Sequence, residues 1–270
     1  MTSKNLDNFG DDNVIDLTLS SSESDSEIET DSVGSEEDEC PFNPPLNISG
    51  NILSIRHYRI LNSVSSWFTD DIINGFFCKL KDSSPSLYVF SSFFYDALIQ
   101  KGQAYCLKYW LTARFKDFLS SLNSAVEDKL VLFPVNSGGS HWVLVAWEIL
   151  KGELSYYDSL MCKRSGNLIM KHISELINNF IDEFELDKSL SSLSLEDSSE
   201  KSAHLPKIKT FSIPKGQPQQ TDGSSCGPFC CYFAKHLVEK RNISGISVDI
   251  YEFRKSLIDF FINKQAELAE

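Results

Sequence analysis

The stretch KLVLFPVNSGGSHWVLVAWEILKGELSYYDS, residues 129–159, decides the fold. Runs of Val, Leu, Phe, Trp and Tyr at 129–135, 141–150 and 153–159 are broken only by NSGGS and KGE. Such runs, bounded by Gly-containing turns, predict three consecutive strands. Connections this short force antiparallel neighbours. On either side the period changes to that of a helix. Upstream, SSWFTDDIINGFFCKLK (65–81) places Trp67, Phe68, Ile72, Ile73, Phe76, Phe77 and Leu80 on one helical face. Ser66 is the expected cap, and Asp70 and Asp71 fall in the first turn. Two further helical patterns follow at 93–100 and 104–121. Downstream come a helix over 166–184, a strand at IKTFSI (208–213), a helix opening at Pro228 and a last amphipathic helix over 247–267. Helices, then a short sheet, then helices again predict an α+β fold rather than alternating βαβ units.

The net charge of −13 over 270 residues is uneven. Residues 1–39 hold 13 of the 38 acids and one of the 25 bases, which leaves 25 acids against 24 bases elsewhere. The acidity belongs to a tail, and the remainder is almost neutral, which argues against direct nucleic-acid binding because phosphate contacts need a basic face. Residues 1–48 are expected to be disordered, being rich in Ser, Asp and Glu and poor in aromatics. Residues 49–270 are expected to form one folded unit, with a Ser-rich surface insertion at 187–206. No basic-then-apolar leader and no long apolar span is present, so a nuclear or cytoplasmic protein with no membrane contact is expected. Its seven cysteines, an odd number, are then expected as thiols.

Three of those cysteines lie in QQTDGSSCGPFCC, residues 219–231. C-x3-C-C with no second Cys/His pair at finger spacing is not a metal site. Cys230 and Cys231 read as small apolar residues on a buried helix face. Cys226 differs, because it follows a Gly/Ser turn at a helix start, where backbone N–H groups and the helix dipole favour a thiolate. Such a nucleophile needs a base. Of the five histidines, His236 is ten residues along the same helix, roughly 15 Å away at the helical rise. His204 falls in the insertion, His172 on a surface-patterned helix and His57 in a strand-like lead-in. His141 opens a strand directly after a turn, and Asp158 ends the antiparallel strand beside it, where a carboxylate can orient an imidazole. Gln220, six residues before Cys226, can return its amide to an oxyanion.

The combination HWVLVAWEILKGELSYYDSL and QTDGSSCG resembles the ubiquitin-like-protein proteases, the deSUMOylating cysteine peptidases of sentrin-specific type. WFTDDII resembles that family's Trp-Leu-Asn-Asp-x-x-Ile helix, and LVLFPVNSGGSHW its Pro-Val-Asn approach to the histidine. The resemblance covers about 53–265 and implies a papain-like core with a small mixed or antiparallel sheet flanked by helices. It implies His141 as base, Asp158 as its partner, Cys226 as nucleophile and Gln220 as oxyanion donor, with no cofactor and no metal. It further implies that Trp67 and Trp142 cover the Gly-Gly tail of a modifier, since only glycines thread a channel roofed by aromatic rings. Asp70 matches an acid used against a basic patch of the modifier. Four positions depart from the pattern: Asp222 for Asn, Ser225 for the Asp before the nucleophile, Phe68 for Leu and Thr69 for Asn.

In the tail, Val14, Ile15, Asp16 and Leu17 form a short β-prone core followed by serines and acids. Such a peptide can add to a sheet edge, with flanking charge steering it and phosphoserines strengthening it. It resembles a SUMO-interacting motif. The partner expected from both features is SUMO or a related modifier with its conjugates, cleaved by a monomer after the Gly-Gly. Three rivals stand beside that expectation: a NEDD8 peptidase and an acetyltransferase of the same fold, and a SUMO reader without activity.

Overall fold

The computed structural model describes residues 40–121, 129–192 and 205–263. The Val14–Leu17 motif, His204 and most of the 187–206 insertion lie outside the described residues. Two short strands, β1 (Leu46–Ile48) and β2 (Asn51–Leu53), open the fold as a hairpin and are followed by α1 (Ile55–Asn62) and α2 (Asp70–Asp82). Next come β3 (Leu87–Val89), α3 (Phe93–Lys101), α4 (Gln103–Tyr109) and α5 (Ala113–Ser120). The central strands β4 (Leu130–Ser137), β5 (His141–Glu148) and β6 (Glu153–Tyr157) lead into the long α6 (Lys163–Ser192). The chain ends on β7 (Thr210–Ser212), α7 (Cys226–Val238) and α8 (Ile250–Ile262).

The sheet runs β3-β4-β5-β6-β7, antiparallel at β4–β5 and β5–β6 and parallel at both edges. It is a mixed sheet flanked by helices, within the mixed or antiparallel sheet that the resemblance implied. β5 is apolar at nearly every position because both of its faces are covered. Trp142, Leu144 and Ala146 face a core built with α1, α2, α7 and α8. Val143, Val145 and Trp147 face a second core built with α3 to α6. Pro134 sits inside β4 without breaking it. β3 ends at Val89, opposite Leu132, so beyond that point β4 has no neighbour needing the missing N–H.

Several boundaries differ from the expected ones. The packed unit reaches back ahead of residue 49, since Cys40 and Phe42 are buried and β1 begins at Leu46. α2 starts at Asp70 with Thr69 as N-cap, so Trp67 and Phe68 precede the helix and Ser66 does not cap it. The apolar spacing continued through them because Phe68 folds back onto the same core, while Trp67 remains exposed. His57 lies in α1, where its ring accepts the Ser54 N–H at 3.0 Å, and not in a strand. The helix expected over 104–121 is two, α4 and α5, with the chain re-capped at Thr112. α6 runs to Ser192, into the segment expected to be an insertion. α7 begins at Cys226, two residues before Pro228. α8 is shorter than the pattern, starting where the Asp249 carboxylate accepts the N–H groups of Tyr251 and Glu252. All seven cysteines are free thiols. Among the described residues, no helix is long and apolar enough to cross a membrane.

Candidate active site

The three elements that meet at the site are the start of β5, the end of β6 and the first turn of α7. β4 reverses into β5 through Gly138 and Gly139, whose φ angles of +66° and +73° side chains rarely adopt. That tight reversal leaves His141 at the open end of the sheet. The β5–β6 register pairs Leu144 with Tyr157. Extended by one residue, it sets Asp158 opposite Val143, a diagonal neighbour of His141 on the same face.

The geometry follows. His141 Nε2 lies 2.7 Å from Asp158 Oδ1. The Asp158 side chain is fully buried, yet each oxygen is satisfied twice. Oδ1 also accepts the Leu160 N–H at 2.8 Å, while Oδ2 accepts the Cys162 N–H at 2.7 Å and the Tyr156 hydroxyl at 3.1 Å. Burial alone would raise the Asp158 pKa, but these donors and the His141 charge hold it below the ordinary carboxylate value. Burial would lower His141, but hydrogen bonds to Asp158 and Cys226, with their charges, raise it to about 9. With Nε2 on Asp158, the other ring nitrogen is the one left for the thiol. The imidazole thus holds the carboxylate on one nitrogen and feels the charge of the nucleophile beside it.

Cys226 is the first residue of α7 and is buried, with 3% of its surface exposed. Cys230 and Cys231 are buried behind it, and burial pushes both thiols well above their usual range. Cys230 Sγ donates to Val143 O at 3.5 Å, tying the helix to β5. The sequence could distinguish these three thiols by position in the helix, and the structure separates them by environment.

The turn before Cys226 is organised by a departure from the family pattern. Asp222 Oδ1 accepts the N–H groups of Ser224 and Ser225 at 2.7 and 2.8 Å, and Oδ2 accepts the Ser225 hydroxyl at 2.7 Å. Burial raises the Asp222 carboxyl pKa, yet these donors carry it below the usual value. The carboxylate missing before the nucleophile is therefore present three residues earlier, and the Ser225 hydroxyl meets it. Gln220 is buried at the foot of the same turn. Its Oε1 accepts the Ser159 hydroxyl at 2.5 Å, and its Nε2 donates to Asp222 O at 2.6 Å. An amide nitrogen has two hydrogens, so one remains to donate. Gln217 holds the other side, accepting the Asp158 N–H on Oε1 at 3.0 Å.

Of the aromatic residues expected above the channel, Trp67 is 52% exposed and Trp142 is 4% exposed. Trp142 is thus a core residue, and its Nε1 donates to Phe68 O at 3.1 Å, supporting the segment that carries Trp67. Asp70, at the start of α2, accepts the Ser92 hydroxyl at 2.9 Å. Tyr156, Ser159 and Gln217 are contributors that sequence reasoning missed. Tyr156 and Ser159 stand inside the YYDS stretch already singled out, and their adjacency to Asp158 was the available signal.

The model of the Ulp1 protease family, C-terminal catalytic domain, matches residues 66–267. Human sentrin-specific protease 2 is 27% identical over 221 residues, covering 80% of this chain and 32% of that protein. A Caenorhabditis elegans sentrin-specific protease is 24% identical over 205 residues, covering 74% of this chain and 25% of the relative. The chain thus spans about a third or less of the length of these relatives. Among solved structures, the C-terminal Ulp1 protease domain in complex with Smt3, the yeast orthologue of SUMO, superposes with a TM-score of 0.60 at 20% identity. That match covers 80% of this chain and 86% of that one. The Chaetomium thermophilum Ulp1-like SUMO protease catalytic domain gives 0.57 at 18% identity, covering 80% and 81%. At those identities the likeness concerns the fold.

Proposed function

Because the chain belongs to the Ulp1 protease family over residues 66–267, we propose that it is a cysteine isopeptidase and endopeptidase that cleaves after the C-terminal Gly-Gly of a ubiquitin-like modifier, SUMO in the first place. The observation that carries this reading is the His141 imidazole, 2.7 Å from Asp158 on one nitrogen and raised in pKa by that carboxylate and by Cys226, which stands at a helix start.

In the proposed reaction the Cys226 sulfur attacks the carbonyl carbon of the terminal glycine. A C–S bond forms and the carbonyl electrons move onto oxygen. The oxyanion is met by the second Nε2 hydrogen of Gln220 and by backbone N–H groups at the start of α7, which have no intrahelical acceptor. As the tetrahedral species collapses, the C–N bond breaks and His141 delivers its proton to the leaving amine. Water then attacks the thioester, His141 takes the water proton, and the Cys226 sulfur leaves. Asp158 stays ionised throughout and keeps the ring oriented. Trp67 roofs the Gly-Gly tail over the approach to Cys226, with Trp142 supporting it from beneath. Asp70 faces a basic patch of the modifier.

Support for SUMO as the modifier is of two kinds. The human and nematode relatives bear the name sentrin-specific protease, and the Ulp1 domain was solved with the yeast orthologue of SUMO. The Val14–Leu17 segment reads as a SUMO-interacting motif, a second hold on the same partner. The test is hydrolysis of a SUMO–peptide isopeptide conjugate, and of a SUMO precursor with residues after the Gly-Gly, by the full chain. Release of SUMO ending in Gly-Gly is expected. Intact substrate, or cut chains with a different terminus, would overturn the reading.

A further inference from the structure

Arg254 on α8 is 2% exposed, and no carboxylate lies within salt-bridge distance of it among the described residues. Its Nε and Nη2 donate to Ile60 O at 3.2 and 2.8 Å, and Nη2 also donates to Ser66 O. Nη1 is buried with no hydrogen-bond partner among the described residues. The guanidinium carbon sits 4.8 Å from the centroid of the Phe68 ring. Burial draws the guanidinium pKa down to about 10, against the opposing charges of Asp222 and Tyr251.

Taking a guanidinium out of water costs several kcal/mol. An apolar side chain would fill the volume without that cost, so the fork matters for what it holds. What it holds is the irregular segment between α1 and α2. The carbonyl gripped at Ser66 immediately precedes Trp67, and the ring stacked at Phe68 immediately follows it. Phe68 also abuts the nucleophile helix, where a Cβ on Gly227 would come within 2.7 Å of Phe68 Cβ. The carbonyl of Phe68 is taken by Trp142 Nε1. On the far side of the nucleophile turn, Ser224 Oγ donates to Val64 O at 3.3 Å. One cation therefore fixes the residues on both sides of the exposed tryptophan and rests on the ring that touches the helix of Cys226.

We propose that Arg254 is a positioning residue for substrate binding: its guanidinium fixes Ser66, Trp67 and Phe68 so that the Trp67 ring is held over the channel to Cys226. The inference rests on Trp67 acting as the roof over a Gly-Gly tail. A fork that grips two carbonyls and stacks on a ring is a geometry lysine cannot reproduce. Loss of the fork leaves the charge in place but frees the roof.

The test is a double-mutant cycle between Arg254→Lys and Trp67→Ala in the full chain, read as kcat and KM on a SUMO–aminomethylcoumarin substrate. Arg254→Lys alone is expected to raise KM on the order of tenfold with kcat within about twofold; with Trp67 already replaced, the same change should move KM by less than about twofold. Phe68→Leu, which keeps the arginine and removes its platform, gives the same cycle should the lysine variant fail to fold. Equal losses with and without Trp67 would mark Arg254 as merely structural and overturn the proposal. Trp67→Ala by itself reports on the roof. If it leaves KM at the wild-type value, the roof falls and the proposal with it; if it raises KM while the cycle is additive, only the role of Arg254 falls.

Discussion

Ser159 Oγ donates to Gln220 Oε1 at 2.5 Å, and Ser159 O accepts the Gln220 N–H at 3.1 Å. The residue after the imidazole's carboxylate thus orients the amide expected at the oxyanion, across 61 positions of sequence. Because the Asp222 carbonyl can only accept, Nε2 must face the nucleophile turn, and the Ser159 hydroxyl, free to donate, completes the match on Oε1. Ser159→Ala should leave the amide held by Asp222 O alone. We expect kcat to fall about tenfold with KM nearly unchanged, less than the 100-fold or more that follows loss of an oxyanion donor outright. Steady-state kinetics on a fluorogenic modifier substrate would read it, with Gln220→Ala as the larger-effect reference.

The pH dependence has two sides. His141 is raised to about 9 in the folded chain, so its contribution to stability is complete below its unfolded value of about 6.5. That contribution declines above there and is lost as pH rises through about 9. Asp158 is lowered, so its contribution is present above its unfolded value of about 3.9 and is lost as pH falls through its folded pKa. Melting temperature should therefore fall on both sides of a plateau, and His141→Gln should flatten the alkaline side. Activity should share the alkaline limb near 9, because imidazolium is the proton donor. Asp158→Asn keeps an acceptor for the ring but removes the charge that raises His141, and should move that limb toward lower pH.

The three clustered cysteines should behave differently. Cys226→Ala is expected to abolish turnover. Cys230→Ala and Cys231→Ala should keep it, at a stability cost of about 1 kcal/mol for the small buried volume removed. Iodoacetamide followed by peptide mapping should modify Cys226, at the start of α7, and spare the other two, whose thiols lie further along the helix and are raised well above their usual range. Equal loss of turnover in all three variants, with folding intact, would contradict the single-nucleophile account.

Gly227 is required for close approach. A Cβ there would meet Phe68 Cβ, Cγ and Cδ2 at 2.7, 3.0 and 3.1 Å. Gly227→Ala should destabilise the fold by about 1–3 kcal/mol through overpacking, visible as a lower melting temperature, and should slow turnover by displacing the nucleophile's helix.

The central sheet was legible because β4, β5 and β6 are long, apolar and joined by short turns, so periodicity and turn chemistry agreed. The positions of His141, Asp158 and Cys226 were legible for the same reason, since strand ends and a helix start are positions that a pattern locates. The hairpin β1–β2 and β3 were not. Each has three residues, too few for a period to register. The split between α4 and α5 was hidden because Leu111 and Phe115 are both buried and continue the apolar spacing across the break. Trp142 and Trp67 looked alike in the sequence but differ in exposure, because one lies in a doubly covered strand and the other on an irregular segment. Arg254 could not be found from sequence, as its partners are backbone carbonyls nearly 200 positions away. The departures Asp222 and Ser225, which raised doubt as isolated substitutions, are complementary in space.

The most direct measurement is labelling of the full chain with C-terminal vinyl sulfones of SUMO, NEDD8 and ubiquitin, each adduct mapped by mass spectrometry. The account predicts one adduct, with SUMO, on Cys226, lost in Cys226→Ala and in His141→Ala. No adduct with any of the three modifiers, while iodoacetamide still reaches Cys226, would contradict the peptidase reading. Labelling by NEDD8 in preference to SUMO would contradict the assignment of the modifier.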